Sequence, residues 1–428
     1  MRTLPFALAA VMAVGAGNVF AQHFTAPSQL GYSPYGQFSP AMARFQEPAP
    51  KPLPMEQADT PAPAPVPGSV LNGGPYGAPN GACGCDSCMS DGWAGCGGGC
   101  GCCGDFCCCC RPSWYVTAAG LFMTRDCPDE VEIAFDPLNI DREYLGTQMV
   151  CPDDWQEGFE IRVGGYFGCN CRAEVVYWTL DPDNAYASVA GPVDSSLDFN
   201  RLDFGILGGV NDWFDGSQYQ QISMRSEFHN IEANLWSDYC VCGCCSPLQI
   251  SLLGGFRFFR FNESFEYFSA DQAPALGLNP GADAYYNVKV ENNLAGFQLG
   301  ARAEYRLGCS LGLYAEPRFG IFYNHIEQEQ NLVNGNGVVA VDLAGRPFQI
   351  ASDKEDFATI GQLDVGVSYQ VGCSLTGYLG YRLVAASGVA LSTDQIPQYM
   401  SDLVGIENID SNGHLFLHGV QGGVTWRF

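Results

Sequence analysis

Residues 100–110 read "CGCCGDFCCCC", seven thiols in eleven positions. Thiols at that density can pair as disulfides, ligate a soft metal, or stay free and reactive. The chain has 21 cysteines, eleven of them between residues 83 and 110. Cys85 and Cys88 have C-x-x-C spacing, and Cys83/Cys85 and Cys242/Cys244 have C-x-C spacing. A zinc site normally shows two separated pairs with a defined ligand count, and this irregular tract names no metal. Adjacent Cys107, Cys108, Cys109 and Cys110 cannot easily bridge one another, because a disulfide needs a suitable Cα separation and orientation. They must look outward for partners. Disulfides lead, with metal binding and free thiols as the alternatives.

Disulfides need an oxidising compartment, and the N-terminus points to one. Residues 1–21 read as a signal peptide: Arg2, an apolar stretch, then Val19-Phe20-Ala21 with small residues at a cleavage site. Gln22 follows rather than a cysteine, which does not fit a lipoprotein anchor. Residues 22–82 are rich in Pro, Ala and Gly, with "EPAPKPLPM" and "TPAPAPVPG" placing Pro at every second position. Such a segment is a stiff, solvated linker without a core. Residues 83–112 form the Cys/Gly segment, whose order would have to come from cross-links. The net charge of −26 argues against nucleic acid and anionic lipid surfaces as partners. Nothing in the sequence calls for a cofactor.

From residue 113 to 428 aromatic and β-branched residues alternate with small or polar ones. Ten strands are expected, at roughly 113–124, 157–168, 172–180, 223–238, 248–263, 291–306, 311–325, 358–371, 375–386 and 414–428. Short and long connections alternate throughout. The short ones are "GCNC", "SDYCVCGCCSPLQ", "LGCSL" and "VGCSL". That alternation predicts an all-β fold, an antiparallel up-and-down transmembrane β-barrel, with short periplasmic turns and long external loops. In "ENNLAGFQLGARAEYRL", Ala295, Phe297, Leu299, Ala301, Ala303 and Tyr305 make one apolar face, opposite Gln298, Arg302 and Glu304. A soluble sandwich also alternates, but it would not usually keep so strict a loop pattern.

The ending "GVTWRF" resembles the C-terminal insertion signal of bacterial outer-membrane barrels, with Trp426 and Phe428 on one face. Together, "SWYVTAAGLFMTRD", "RSEFHNIEANLW", "LLGGFRFFRFNESF" and "ENNLAGFQLGA" are similar to a planctomycete family of β-barrel porins. The resemblance covers about residues 113–428. It implies an outer-membrane location, contact with lipid and with the assembly machinery through the C-terminal strand, and supplies no catalytic residues.

With this topology the cysteines gather at one end. Cys107 to Cys110 precede the first strand. Cys169 and Cys171 lie in the first short turn, Cys240, Cys242, Cys244 and Cys245 in the second, Cys309 in the third and Cys373 in the fourth. Cys127 and Cys151 fall in the first long loop, where they could close one disulfide. Periplasmic-side thiols could pin the Cys/Gly segment beneath the barrel or join other envelope proteins.

The inward parity set is charged. Glu160, Glu174, Glu232, Glu304, Glu316 and Asp364 interleave with Arg162, Arg172, Arg257, Arg302, Arg318, Arg382 and Arg427. Ten strands make a narrow lumen, and paired charges would fill much of it. The five long loops hold 30 acids against 6 bases. They are expected to be a solvated, repulsive surface, with divalent cations the sharper alternative partner at "PDDW" (152–155) and "DPDN" (181–184). His229, His325, His414 and His418 sit in the external strand halves, without a complete nucleophile–base–orienter set. The expectation is a non-enzymatic barrel. It is porin-like with a narrow, charge-filled lumen, or alternatively an envelope-anchoring barrel. An outer-membrane hydrolase is the minor alternative.

Overall fold

The computed structural model describes residues 114–127, 129–151, 155–167, 171–238, 248–271, 282–308, 310–372 and 374–428. The signal, linker and Cys/Gly segments lie outside these residues, as do Cys107–Cys110, Cys169, Cys240, Cys242, Cys244, Cys245, Cys309 and Cys373.

Ten antiparallel strands close into a barrel. In chain order they are β1 (Trp114–Arg125), β2 (Gln156–Phe167), β3 (Cys171–Ser195), β4 (Ser217–Asp238), β5 (Leu248–Ala270), β6 (Ala284–Leu307), β7 (Leu311–Asn334), β8 (Gln349–Val371), β9 (Leu375–Val389) and β10 (Gly413–Arg427). Each pairs with its sequence neighbour, and β1 pairs with β10 from Tyr115↔Arg427 to Arg125↔Leu417. Backbone bonds between Trp114 and Phe428 extend the seam. Closure leaves the barrel itself without the open edge that lipid would not tolerate.

Two short turns follow one design. Gly308 and Gly372 have φ of 75° and 67° in "LGCSL" and "VGCSL". Only glycine takes that conformation without steric cost, so the turn can be tight.

β3 to β8 run further from the short-turn end than the sequence pattern suggests. β3, expected to stop near residue 180, continues to Ser195, and β7 continues from the expected 325 to Asn334. A membrane crossing needs about 9–11 residues, and β6 and β7 each have 24. Much of what reads as long loop is therefore barrel wall. The remaining loop segments turn inward. Leu202–Asp203 pairs with Val341–Asp342, and Asp198 bridges to Tyr399, so three long connections are stitched together. A short hairpin, Glu132–Asp136 with Asn139–Gly146, pairs with β3. The same connection holds the Cys127–Cys151 disulfide, with Cα atoms 5.0 Å apart.

The candidate functional site is a lumen in three tiers

Alternation decides what each strand puts into the lumen. Nearest the short turns the inward positions are charged, and the outward ones are apolar. Phe297 and Leu299 are 76% and 71% exposed, while Gln298 between them is buried. Trp426 and Phe428 likewise point outward, their rings 5.7 Å apart.

The inward charges form one network. Arg382 on β9 holds Asp364 of β8 and Glu160 of β2, both at 2.8 Å. Arg162 sits 2.5 Å from Glu160 and 3.9 Å from Glu174. Arg318 on β7 reaches Glu232 of β4 at 2.6 Å and also pairs with Glu316. Arg302 lies 3.1 Å from Glu316 and 3.5 Å from Glu304. Arg257 is 3.8 Å from Glu232, and donates to Asn230 at 2.6 Å and to Gln362 of β8 at 2.9 Å. Several of these links skip over intervening strands, so they cross the lumen rather than follow its wall.

Two members of the sequence-predicted set use other partners. The guanidinium of Arg172 stacks 4.4 Å from the Trp236 ring centroid. Arg427 donates to the Thr376 hydroxyl at 2.8 Å. Glu174 accepts from Tyr115 Oη at 2.7 Å and from Trp236 Nε1 at 3.3 Å. The first of these bonds needs Gly164, because a Cβ there would fall within 2.5 Å of the Tyr115 ring. Burying a charge costs several kcal/mol unless it is paired, so this mutual satisfaction is what permits the tier.

Above the charges lies an apolar tier. Leu121, Met123, Trp178, Phe228, Phe259, Phe261, Phe322 and Leu417 form one buried cluster. Above that, Arg125 on β1 meets Glu263 on β5 at 2.5 Å, four strands around the ring, and also donates to Ser226 at 2.9 Å. Sequence reasoning missed this bond. Its signal was parity: Arg125 is in phase with Met123, and Glu263 with Phe261.

The third tier is a second apolar core. Loop residues Phe199, Phe204, Phe214, Phe348, Met400 and Ile409 pack among Met224, Tyr267, Tyr286, Val288 and Ile326 of the wall. A loop inside a barrel brings backbone groups that must be paired. Wall side chains pair them. Asn292 exchanges two 2.8 Å bonds with the Ala390 backbone. Gln328 and Gln330 donate to the Ile406 and Gln395 carbonyls, each at 2.9 Å. Glu263 accepts from the Ser392 amide at 2.6 Å.

The four histidines among the described residues lie outside the lumen. His229 contacts Tyr177 Oη and Thr179 Oγ1, each at 3.2 Å, and His418 contacts Tyr381 Oη at 2.6 Å. His325 is 3.3 Å from Glu327, and His414 lies on β10. His229, Arg260, Asn293, His325 and Glu355 are successive register partners on β4 to β8. They mark where the outward face changes from apolar to polar. Among the described residues, no group of three or more His, Cys, Asp or Glu side chains could hold a metal ion. Cys171 is an exposed free thiol at the start of β3.

A closed antiparallel barrel with an apolar outer band and polar inner wall defines the class of outer-membrane β-barrel proteins. The model of the family described as Putative beta barrel porin-7 matches residues 210–428, just over half of the sequence. The chain belongs to that family. No curated protein matches it. Among solved structures, the outer membrane protease OmpT from Escherichia coli has 9% identity and a TM-score of 0.39, covering 74% of this chain and 97% of that one. The translocator domain of the autotransporter NalP from Neisseria meningitidis has 11% identity and a TM-score of 0.28, over 74% and 89%. A major outer membrane protein from Thermus thermophilus has 12% identity and a TM-score of 0.27, over 74% and 100%. Similarity at this level says nothing of activity.

Proposed function

We infer that this porin-family barrel is closed, and that its role is to hold the envelope rather than to pass solutes. The observation that carries this reading is the Arg125–Glu263 bond across the lumen, with the charged network on one side of it and the loop-filled core on the other. Each tier alone narrows the passage, and the three lie in series. The short-turn end faces the periplasm. The acidic long-strand end faces outward. Lipid covers the apolar band, and the C-terminal strand with Trp426 and Phe428 engages the assembly machinery. No catalytic role is assigned. His229 and His418 are supported as interfacial groups by their tyrosine and threonine partners on the outer wall.

The test is a planar-bilayer recording of the full chain. Silence is expected. Steady conductance steps from folded protein would overturn the closed reading.

The cysteines support an anchoring role. Cys171 presents its thiol at the short-turn end, where the sequence places most of the others. Native membranes, alkylated at once and run without reductant, should show this chain in a high-mass ladder that collapses on reduction. A compact monomer in both lanes would confine the disulfides to one chain and remove the anchor.

A further inference from the structure

Two polar rows cross the outer wall beyond the membrane band. Asn184, Arg225, Ser264, Lys289 and Glu329 are consecutive register partners across β3 to β7. Tyr186, Ser223, Glu266, Asn287 and Asn331 form the next row. All ten, with Gln221, line one groove of about 480 Å³. The residues that alternate with them, such as Met224, Phe265 and Val288, are buried in the third-tier core. The groove is thus a rigid outward face with a packed interior behind it. The outside of a barrel is ordinarily convex. Here the β3 register shifts between Leu180 and Asp183, just before the groove begins. Such a bulge bends its strand and raises the local twist.

The lining chemistry selects the ligand. Arg225 and Lys289 stand against Glu266 and Glu329, and Arg225 is already 2.6 Å from Glu227. A nearly balanced groove has little field to hold a simple ion. Only Tyr186 offers a large exposed apolar face, at 73%. A protein partner would want a cluster of such anchors. What remains is a dense set of amides and hydroxyls beside one aromatic ring. A sugar matches it, because each of its hydroxyls both donates and accepts, and its C–H face can lie on a tyrosine. Burial pushes the Glu266 carboxyl above its usual range, which favours a hydroxyl there over a second acid.

Height selects the source. His229 on β4 marks the top of the apolar outer face, and Arg225 lies four residues further along the strand. At about 3.3 Å per residue and a tilt near 40°, that is roughly 10 Å above the lipid boundary. The saccharide of a glycolipid in the adjacent leaflet occupies that level. We propose that this groove binds the uncharged sugars in the oligosaccharide headgroup of a membrane glycolipid of the lipopolysaccharide type, and not its anionic groups. The proposal rests on the long-strand end facing outward.

The experiment measures binding of rough lipopolysaccharide, lipid A and the free core oligosaccharide to the full chain in detergent. The expected result is at least tenfold tighter binding of lipopolysaccharide than of lipid A. A triple Tyr186→Ala, Asn287→Ala, Asn331→Ala variant should lose that preference while keeping heat-modifiable migration. Should the triple variant not fold, Tyr186→Ala alone carries the test, since its side chain is exposed. Equal binding of lipopolysaccharide and lipid A, or an unchanged preference in the folded variant, would overturn the site. Free oligosaccharide binding as tightly as the whole lipid would overturn the membrane source. Orientation is read separately, by an impermeant amine reagent on whole cells expressing wild type or Lys289→Arg. A fall in this chain's labelling in the variant, with Lys354 still reacting, supports an outward groove, and identical labelling overturns that orientation whatever the detergent result.

Discussion

The two halves of β6 obey opposite rules. Along β6, nearest the short turns, the inward residues are Glu304, Arg302 and Gln298, and the outward ones are Tyr305, Leu299 and Phe297. Past Asn293 the same inward row carries Val290, Val288 and Tyr286, while the outward row carries Glu291, Lys289 and Asn287. The period of two never slips. Only the residue classes exchange faces. β4 does the same, from Glu232 in and Ile231 out to Met224 in and Arg225 out. The exchange teaches that the surrounding solvent, not the fold, decides which face is apolar. Lipid outside permits a polar lumen, and water outside demands an apolar core.

The largest effect should come from breaking the polar half at its centre. Glu232 is buried and is shared by Arg318 and Arg257. Glu232→Gln leaves both guanidiniums without their shared carboxylate. Loss of one partner from a buried pair costs about 3–5 kcal/mol. Urea unfolding in lipid should show it as a large fall in midpoint. A shift under about 1 kcal/mol would mean the tier is wet enough to screen its charges.

A smaller effect should locate the boundary between the halves. Phe297→Arg puts a charge on the lipid face of β6 and should cost about 2–4 kcal/mol. Asn287→Arg, on the same strand and face, should stay within about 0.5 kcal/mol, as surface changes do. Comparable losses at both would place Asn287 in lipid and move the boundary past the His229–Glu355 row.

The lower halves were legible in the sequence because lipid and lumen impose a sharp contrast. The ten strands, the inward charges and the outward Phe297 and Leu299 all follow from it. The upper halves were not, because there the contrast reverses. "NVKVENN" and "EQEQNLV" present polar residues where an apolar lipid face is sought, and they read as loop. Their inward partners, Phe348, Met400 and Ile409, are distant in sequence, so local periodicity carries no trace of the core they share. The spacing of Leu197, Phe199, Leu202 and Phe204 was a signal of an inserted segment, since apolar residues that regular do not line a solvated loop. Of the thiols, the structure joins Cys127 to Cys151 and exposes Cys171, while all of the others lie outside the described residues.

The disulfide is a modest test of the upper half. Its loop spans 24 residues, for which loop-closure entropy alone would give about 3 kcal/mol. Yet Met123 already pairs with Gln156, so the barrel closes nearly the same loop by itself. Cys127→Ser with Cys151→Ser should therefore cost under about 1 kcal/mol, well short of the entropic figure. A loss near 3 kcal/mol in the free energy of urea unfolding would show that this connection folds apart from the barrel.

The finest test is a single acid in the inserted loop. Burial pushes Asp394 up to about 6, helped by the nearby acids Glu263, Asp129 and Asp410 and opposed by His414. Unfolded, the group titrates near 3.8. Between those values the folded chain holds the proton more tightly than the unfolded one, so this group adds stability as pH falls from about 6 toward 3.8, and lowers it above 6. Asp394→Asn removes the charge and should raise the urea midpoint at about pH 7.5 relative to wild type. The gap should shrink as pH falls through 6 and vanish below 3.8. The polar half, whose carboxylates pair with arginines, should not share that sign. If the gap stayed constant with pH, Asp394 would be fully solvated, and the loop around it would not belong to the upper core.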